Sequence, residues 1–404
     1  FISMVDKQGI EAVIIFEIYS SVVKTNREYW FYDASSSTLW DRMHEGASYY
    51  SEVAQVSQTG GSMDFSENKF KWCQKTIAAA KKGKPYKALK DNLYPAMYRP
   101  FNQAWLYTDN FFNWSTYLMP QIFPTQDTSN EVIWVVGVGD TIQFGCFMSR
   151  ILPDLQGQMK INCFPKRYLP KRTQSDDLFG EGETPEGWRH GVSDEGLNLF
   201  RSAYPEEDIS KDDVFYYIYG LLHSPNYRER FKNNLAKALP RIPAVRTFED
   251  FAAFRDAGRA LGDLHVNFES VEPYIVPFKE GTHDLIPEAQ ADPTKFYRVK
   301  KMKFGGKGKE KDKTTVIYND NITMQNIPLE AYDYVVNGKP ALEWVMERQV
   351  VKQDKASGII NDANDYAVET VGDPRYPMEL FQRVITVSLE TTRIVNGLPG
   401  LDID

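Results

Sequence analysis

SKDDVFYYIYGLLHSPNYRERFKNNLAKALPRIP, residues 210–243, is where this chain changes character. Ser210 with Asp213 makes a capping-box-like helix start. Val214, Tyr217, Ile218, Leu221 and Leu222 follow at helical spacing. Ser224-Pro225 then restarts a helix with proline in its first position, where the missing N–H costs nothing. Tyr227, Phe231, Leu235 and Leu239 form the apolar stripe of that second helix, so the stretch reads as an αα-hairpin. Thr247 with Asp250 caps a third helix carrying Phe251, Phe254, Gly258, Leu261 and Leu264.

Upstream the text is strand-like. Residues 10–34 read as strands, 38–56 as a helix, and 58–67 as a Gly/Ser break. Residues 69–80 read as a basic helix stopped by Gly83 and Pro85. Residues 93–170 are rich in aromatics, Val and Ile and are punctuated by Pro and Gly, which predicts several short strands. Residues 173–208 are acidic and read as a long exposed loop. Downstream, residues 294–335 return to strand-like text around FGGKGKEKDK, a basic hairpin tip. Pro340 opens a helix with Leu342, Val345, Met346 and Val350 on one face, and residues 376–396 form the last helix, with Gly397 near its end. The fold class is therefore α+β: a strand-rich N-terminal part, a largely helical C-terminal part and a basic hairpin insertion. Residues 61–175 are read as the strand-rich unit, 176–209 as the acidic loop and 210–404 as the mainly helical unit, with 1–60 a separate leading segment.

With 404 residues the chain is long for one core. No apolar run approaches the ~18–20 residues that span a bilayer, and no secretory leader is visible. Cys73, Cys146 and Cys163 are odd in number and widely spaced, which fits the reducing cytoplasm and neither a disulfide framework nor a zinc site. The chain begins at Phe1 close to a strand-like run, and reads as a piece of a longer polypeptide. The net charge of −8 is unevenly spread. Residues 69–99, 160–172 and 298–313 carry +8, +5 and +6, leaving −27 on the remainder. Such segregation can make a basic face and an acidic back; solvated loops account equally well for any single run.

The chemistry-bearing motifs are few. There is no phosphate-binding loop; Gly137-Val138-Gly139 lacks the third glycine and the following helix, and reads as a strand. The five histidines are scattered. KASGIINDAND at 355–365 raises the question of a calcium loop, but from Asp362 the required central Gly and flanking helices are missing. Asn and Asp are good turn formers, so the segment reads as a structural turn docking the Pro340 helix against the last helix. What remains is basic residues interleaved with aromatics and amides: Tyr98-Arg99-Pro100-Phe101-Asn102-Gln103, Lys166-Arg167-Tyr168 and Tyr297–Lys301. Lys and Arg suit phosphates, and Arg, Asn and Gln suit base edges. Core aromatics with cations at their rim explain each segment as well.

Several long segments, in order, carry a family resemblance. YDYVVNGKPALEWVMERQVVKQDKASGIINDAND, the following YPMELFQRVITVSLETTRIVNGLP, the helical stretch at 212–243, YRPF at 98–101 and the ILPDL…CFPKRYLP segment at 151–170 resemble the C-terminal end of Type ISP restriction–modification enzymes. SSVVKTNREYW is similar to the GVKTNRD-type segment that follows the methyltransferase motif of that family, with Val22 and Glu28 in place of Gly and Asp. The resemblance spans roughly residues 10–400. It implies a target recognition domain for double-stranded DNA, preceded at 1–60 by the remnant of an adenine methyltransferase. Upstream nuclease, translocase and methyltransferase domains would use S-adenosylmethionine, ATP and Mg2+; the chain itself would need no cofactor and catalyse nothing. The expected phosphate contacts are Lys24, Arg27, Lys166, Lys171, Lys300, Lys301 and Lys303. The expected base readers are Arg99, Asn102, Gln103 and Arg167. Two other readings stand beside this one: an enzyme built on scattered carboxylates such as Asp154 and Asp263, and a protein–protein interaction module.

Overall fold

The computed structural model describes residues 2–4, 14–67, 69–136, 143–154, 161–171, 187–308 and 310–403. Gly137-Val138-Gly139 and all of the 173–186 stretch lie outside these residues.

A buried antiparallel sheet organises the molecule, in the order Ser20–Ser21, Ile161–Pro165, Val132–Val136, Cys146–Ser149. Its central strands are apolar on both faces, and side chains alternate across a strand with period two. The two faces therefore enter two cores. Val132, Trp134, Phe147, Ile161 and Cys163 point into one. Their neighbours Ile133, Val135, Cys146, Met148 and Phe164 point into the other.

The second core is closed by helices Asp194–Ala203, Lys211–His223 and Phe248–Val266. The Ser210 capping box, the Ser224-Pro225 restart and the Thr247 cap all form as the sequence indicates. The expected αα-hairpin does not. Pro225–Arg230 and Lys232–Leu235 are short pieces, and Lys211–His223 packs instead against Phe248–Val266. Glycines set that crossing. A Cβ on Gly220 would stand 2.0 Å from the Phe254 carbonyl oxygen, and one on Gly258 1.9 Å from that of Tyr216. A spacing this close admits no side chain and outweighs the preference for chain neighbours.

The first core faces a second four-stranded sheet, in the order Tyr32–Asp33, Asn102–Tyr107, Leu93–Arg99, Leu152–Pro153. Helices Ser36–Thr59, Ala341–Arg348 and Tyr376–Asn396 complete it. Lys303–Lys307 and Glu310–Ile317 form the basic hairpin, joined by Thr323–Met324. The architecture is α+β, with the strand-rich half first.

Four local expectations change. Glu28–Phe31 is a helical turn, not strand. The basic helix starts only at Gln74 and ends at Lys81. Asp194–Ala203 is a helix within the expected acidic loop, capped by Ser193, whose side chain accepts from Gly196 N–H at 2.9 Å. The Pro340 helix ends at Arg348, so Val350 lies beyond it.

Candidate nucleic-acid interface

The YRPFNQ segment is a hairpin whose two-residue tip is Pro100-Phe101, with Arg99 opposite Asn102. Phe101 takes a left-handed φ of 57°. Its ring is fully buried, edge-on to Phe147 at 4.9 Å and to Phe268 at 5.4 Å. The tip is thus plugged into the first core and draws its polar neighbours inward. The Arg99 guanidinium pairs with Asp154 and, at 3.0 Å, with Glu28, and it covers the Tyr98 ring at 4.2 Å. Burial alone would lower its pKa; Asp154, Tyr98 and Glu28 together more than reverse this and raise it. Tyr32 donates to the other Asp154 oxygen at 2.9 Å. Asn102 Oδ1 accepts from Gln349 Nε2 at 2.8 Å. Gln103 donates to Glu269 at 2.8 Å and accepts from the Tyr366 hydroxyl at 3.2 Å. Three of the four expected base readers are therefore occupied within the chain.

Two of the expected phosphate contacts are occupied as well. Arg27 donates to the carbonyls of Lys71 and Phe112 and sits 4.8 Å from the Phe31 ring centroid. Desolvation lowers its pKa. Lys166 meets Glu131 at 3.1 Å, Asp212 at 3.2 Å and the Tyr216 hydroxyl at 3.0 Å. The others present open head groups. Lys171, Lys300, Lys301 and Lys303 are exposed, and Lys24 is half-buried. Arg167 is exposed too. Lys301 and Lys303 share a surface groove of about 410 Å³ with Lys311 and Lys339, on the face of the basic hairpin. Lys307, also exposed, lies in the same strand as Lys303. Lys339 and Lys313 are neutralised by Glu347 and, at 2.9 Å, Glu343. Among the described residues the exposed hairpin lysines Lys303, Lys307 and Lys311 make no ion pair.

The NDAND turn proves structural, with a different partner from the one expected. Val351–Gln353 and Ile360–Asp362 pair as a hairpin. Asn364 accepts from the Val299 N–H at 2.9 Å and donates to the Val299 carbonyl at 2.8 Å, standing in for a strand partner. Asp362 pairs with Arg298 and accepts from the Asn364 N–H at 3.0 Å. The turn therefore pins residues 298–299, next to Lys300, while the Ala341–Arg348 and Tyr376–Asn396 helices pack directly. Asp365 is pushed up to about 6 by burial, with Asp362 and Asp33 adding repulsion. Among the described residues no group of His, Cys, Asp or Glu is placed to hold a metal ion.

Further along, Glu369 accepts from the Ser35 hydroxyl at 2.5 Å, the Ser36 hydroxyl at 2.7 Å and the Ser37 N–H at 2.9 Å, at the start of the Ser36–Thr59 helix. A carboxylate is favoured there by the helix dipole.

The KTNREYW segment lines a cleft of about 400 Å³ with Asn26, Glu28, Tyr29, Trp30 and Asp154. Asp263, the other carboxylate weighed for catalysis, lines a separate cleft and accepts from Asn267 Nδ2 at 2.7 Å. The two do not form a pair. The histidines include a buried couple in the helical core. His265 bonds the Tyr219 hydroxyl at 2.6 Å and the Thr391 hydroxyl at 2.9 Å, and His223 lies 5.6 Å away, ring to ring. Desolvation lowers His223 to about 3 and His265 well below its usual value.

With this geometry in view, the likeness to known proteins is specific. The family model of the Type ISP C-terminal specificity domain matches residues 14–380. The chain belongs to that family. Among solved structures, a nuclease-deletion mutant of the Type ISP restriction–modification enzyme LlaGI, in complex with a DNA substrate mimic, is 29% identical with a TM-score of 0.81; the match covers 100% of this chain and 29% of that one. The ATP-dependent Type ISP restriction–modification enzyme LlaBIII bound to DNA is 29% identical with a TM-score of 0.83, over 100% and 25% of the two chains. A DrdV–DNA complex is 30% identical with a TM-score of 0.78, over 98% and 38%. The chain thus spans well under half the length of these structures. No curated protein matches it. Among the described residues no helix is long and apolar enough to cross a membrane.

Proposed function

We propose that this chain recognises a specific sequence in double-stranded DNA on behalf of a longer, cytoplasmic restriction–modification polypeptide. The carrying observation is the match of nearly its whole length, at close to 30% identity, to proteins whose structures were solved on DNA. In this reading residues 1–60 close an adenine methyltransferase domain. Residues 61–175 and 210–404 form the strand-rich and mainly helical parts of the recognition unit, with the acidic stretch 176–209 between them. The chain itself does no chemistry. The methyltransferase would use S-adenosylmethionine, and the upstream translocase and nuclease ATP and Mg2+.

The open cations then carry the phosphate contacts: Lys24, Lys171, Lys300, Lys301 and Lys303. Arg167 is the member of the base-reading set with a free head group. Arg27, Arg99, Asn102, Gln103 and Lys166 serve instead to hold the surface rigid. Rigidity matters because base readout is geometric; each good bidentate contact contributes ~1–3 kcal/mol of discrimination.

The test is selection from a random-duplex library at two salt concentrations, with this chain and with the complete natural polypeptide. Enrichment of one motif, with affinity falling as salt rises, is expected. Absence of enrichment with both proteins would remove the reading.

A further inference from the structure

Asn130 is buried just ahead of the Val132–Val136 strand. Its backbone N–H donates to the Arg150 carbonyl at 3.2 Å. Its side-chain Nδ2 donates to the Arg167 carbonyl at 2.7 Å and to the Ile122 carbonyl at 3.1 Å. One buried residue therefore clips together the backbones of two exposed arginines. Neither guanidinium makes an ion pair or side-chain hydrogen bond among the described residues.

Both line a polar cleft of about 450 Å³. Its other cations are spent: Lys166 on Glu131 and Asp212, and Arg259 on Asp213 at 2.7 Å, above the Tyr216 ring. Of the lining acids, Glu131 is taken by Lys166 and by the Tyr216 hydroxyl at 2.6 Å, while Asp263 accepts from the neutral Asn267 amide and keeps its charge. Arg150 also lies in the field of the buried Glu269, and the lining still carries four cations, Arg150, Lys166, Arg167 and Arg259, against two carboxylates, Glu131 and Asp263, with two guanidinium forks at one mouth. Each fork matches the oxygens of a phosphate bidentately, and an excess of positive charge in one cleft is relieved by an anion.

We infer that Arg150 and Arg167 clamp one phosphate of the DNA backbone. The inference rests on the function proposed above and moves Arg167 from base reading to phosphate anchoring.

Phosphate anchoring and base reading part company in solution. Arg150→Gln, Arg167→Gln and the double variant are titrated, in the complete polypeptide, against the selected duplex and unrelated duplexes over a range of salt. The double change should lower affinity equally on all duplexes and flatten the slope of log K against log salt by about 1, for the one phosphate the two share, and each single change by less. Both side chains are exposed, so melting temperatures should not move. A scan of single methylphosphonate substitutions should find one position that weakens the wild type and leaves the double variant unaffected.

Altered base preference with an unchanged slope would return Arg167 to base reading and overturn the clamp. Binding of inorganic phosphate that the double change abolishes, with duplex affinity untouched, would assign the cleft to a free anion and overturn it as well. Variants that match the wild type on duplex DNA would sink this inference alone. A wild type that binds no duplex would sink it together with the proposed function.

Discussion

Two hairpins of this chain carry the same chemical vocabulary to opposite ends. At 98–103, Arg, Asn and Gln flank a Pro100-Phe101 tip; at 303–317, Lys flanks a tip that includes Gly308. Phe101 drives the first tip into the core, and every polar neighbour must then find a partner inside. Gly306 and Gly308, at φ of 92° and 62°, let the second turn without any side chain to bury, and its lysines stay in water. The residue at the tip decides whether a cation beside it becomes scaffold or interface.

If this division holds, changes in the first hairpin cost stability and changes in the second cost binding. Arg99→Ala leaves Asp154 buried without its cation and should destabilise by about 3–5 kcal/mol; urea melts would show it, and a loss under 1 kcal/mol would deny the pair its structural role. Phe101→Ala should cost a similar ~3–5 kcal/mol by emptying the tip's socket, which calorimetry would reveal.

The buried histidines belong with the first hairpin. Held neutral when folded, they take up protons only on unfolding, so their contribution is complete above about pH 6.5 and is lost as pH falls below it, for His223 down to about 3, at up to ~1.4 kcal/mol per pH unit. His223→Gln should shallow the acid limb of stability against pH, and an unchanged limb would mean the ring is hydrated.

On the other side of the comparison, Lys300→Glu with Lys301→Glu should leave melting untouched. The double change should weaken every duplex by roughly tenfold at physiological salt, as for two lost phosphate contacts. Duplex binding equal to the wild type would take this strand off the interface. Smallest is Gly308→Ala, expected to cost about 1 kcal/mol for the left-handed turn alone, with no change in base preference on the selected duplex.

Much of the fold was legible because its signals are local. Ser210, Thr247 and Ser224-Pro225 mark helix starts by chemistry that acts within four residues. The basic hairpin announces itself by its glycines and lysines. The pairing of Lys211–His223 with Phe248–Val266 was hidden, because Gly220 and Gly258 reveal their role only when the helices touch. The interface was less legible still. Lys166 reads like a free cation until Glu131 and Asp212 are brought to it, and nothing near Arg99 in sequence predicts Asp154. One signal was present: an aromatic at a hairpin tip, where Gly, Asn or Asp is usual, points to a buried tip. Arg150 offered none, since its neighbour Arg167 arrives only through Asn130.

The clasp of Glu369 on Ser35, Ser36 and Ser37 has a consequence in time. Its partners are 332–334 residues apart in the chain. At ~5–20 residues per second on the ribosome, the serines wait roughly tens of seconds for their carboxylate. The first core waits with them, since Leu380, Phe381 and Val384 arrive later still. Assembly of this half of the molecule is therefore postponed until synthesis has passed its last long helix. A nascent chain that stops short of that helix carries a first core still open on one side.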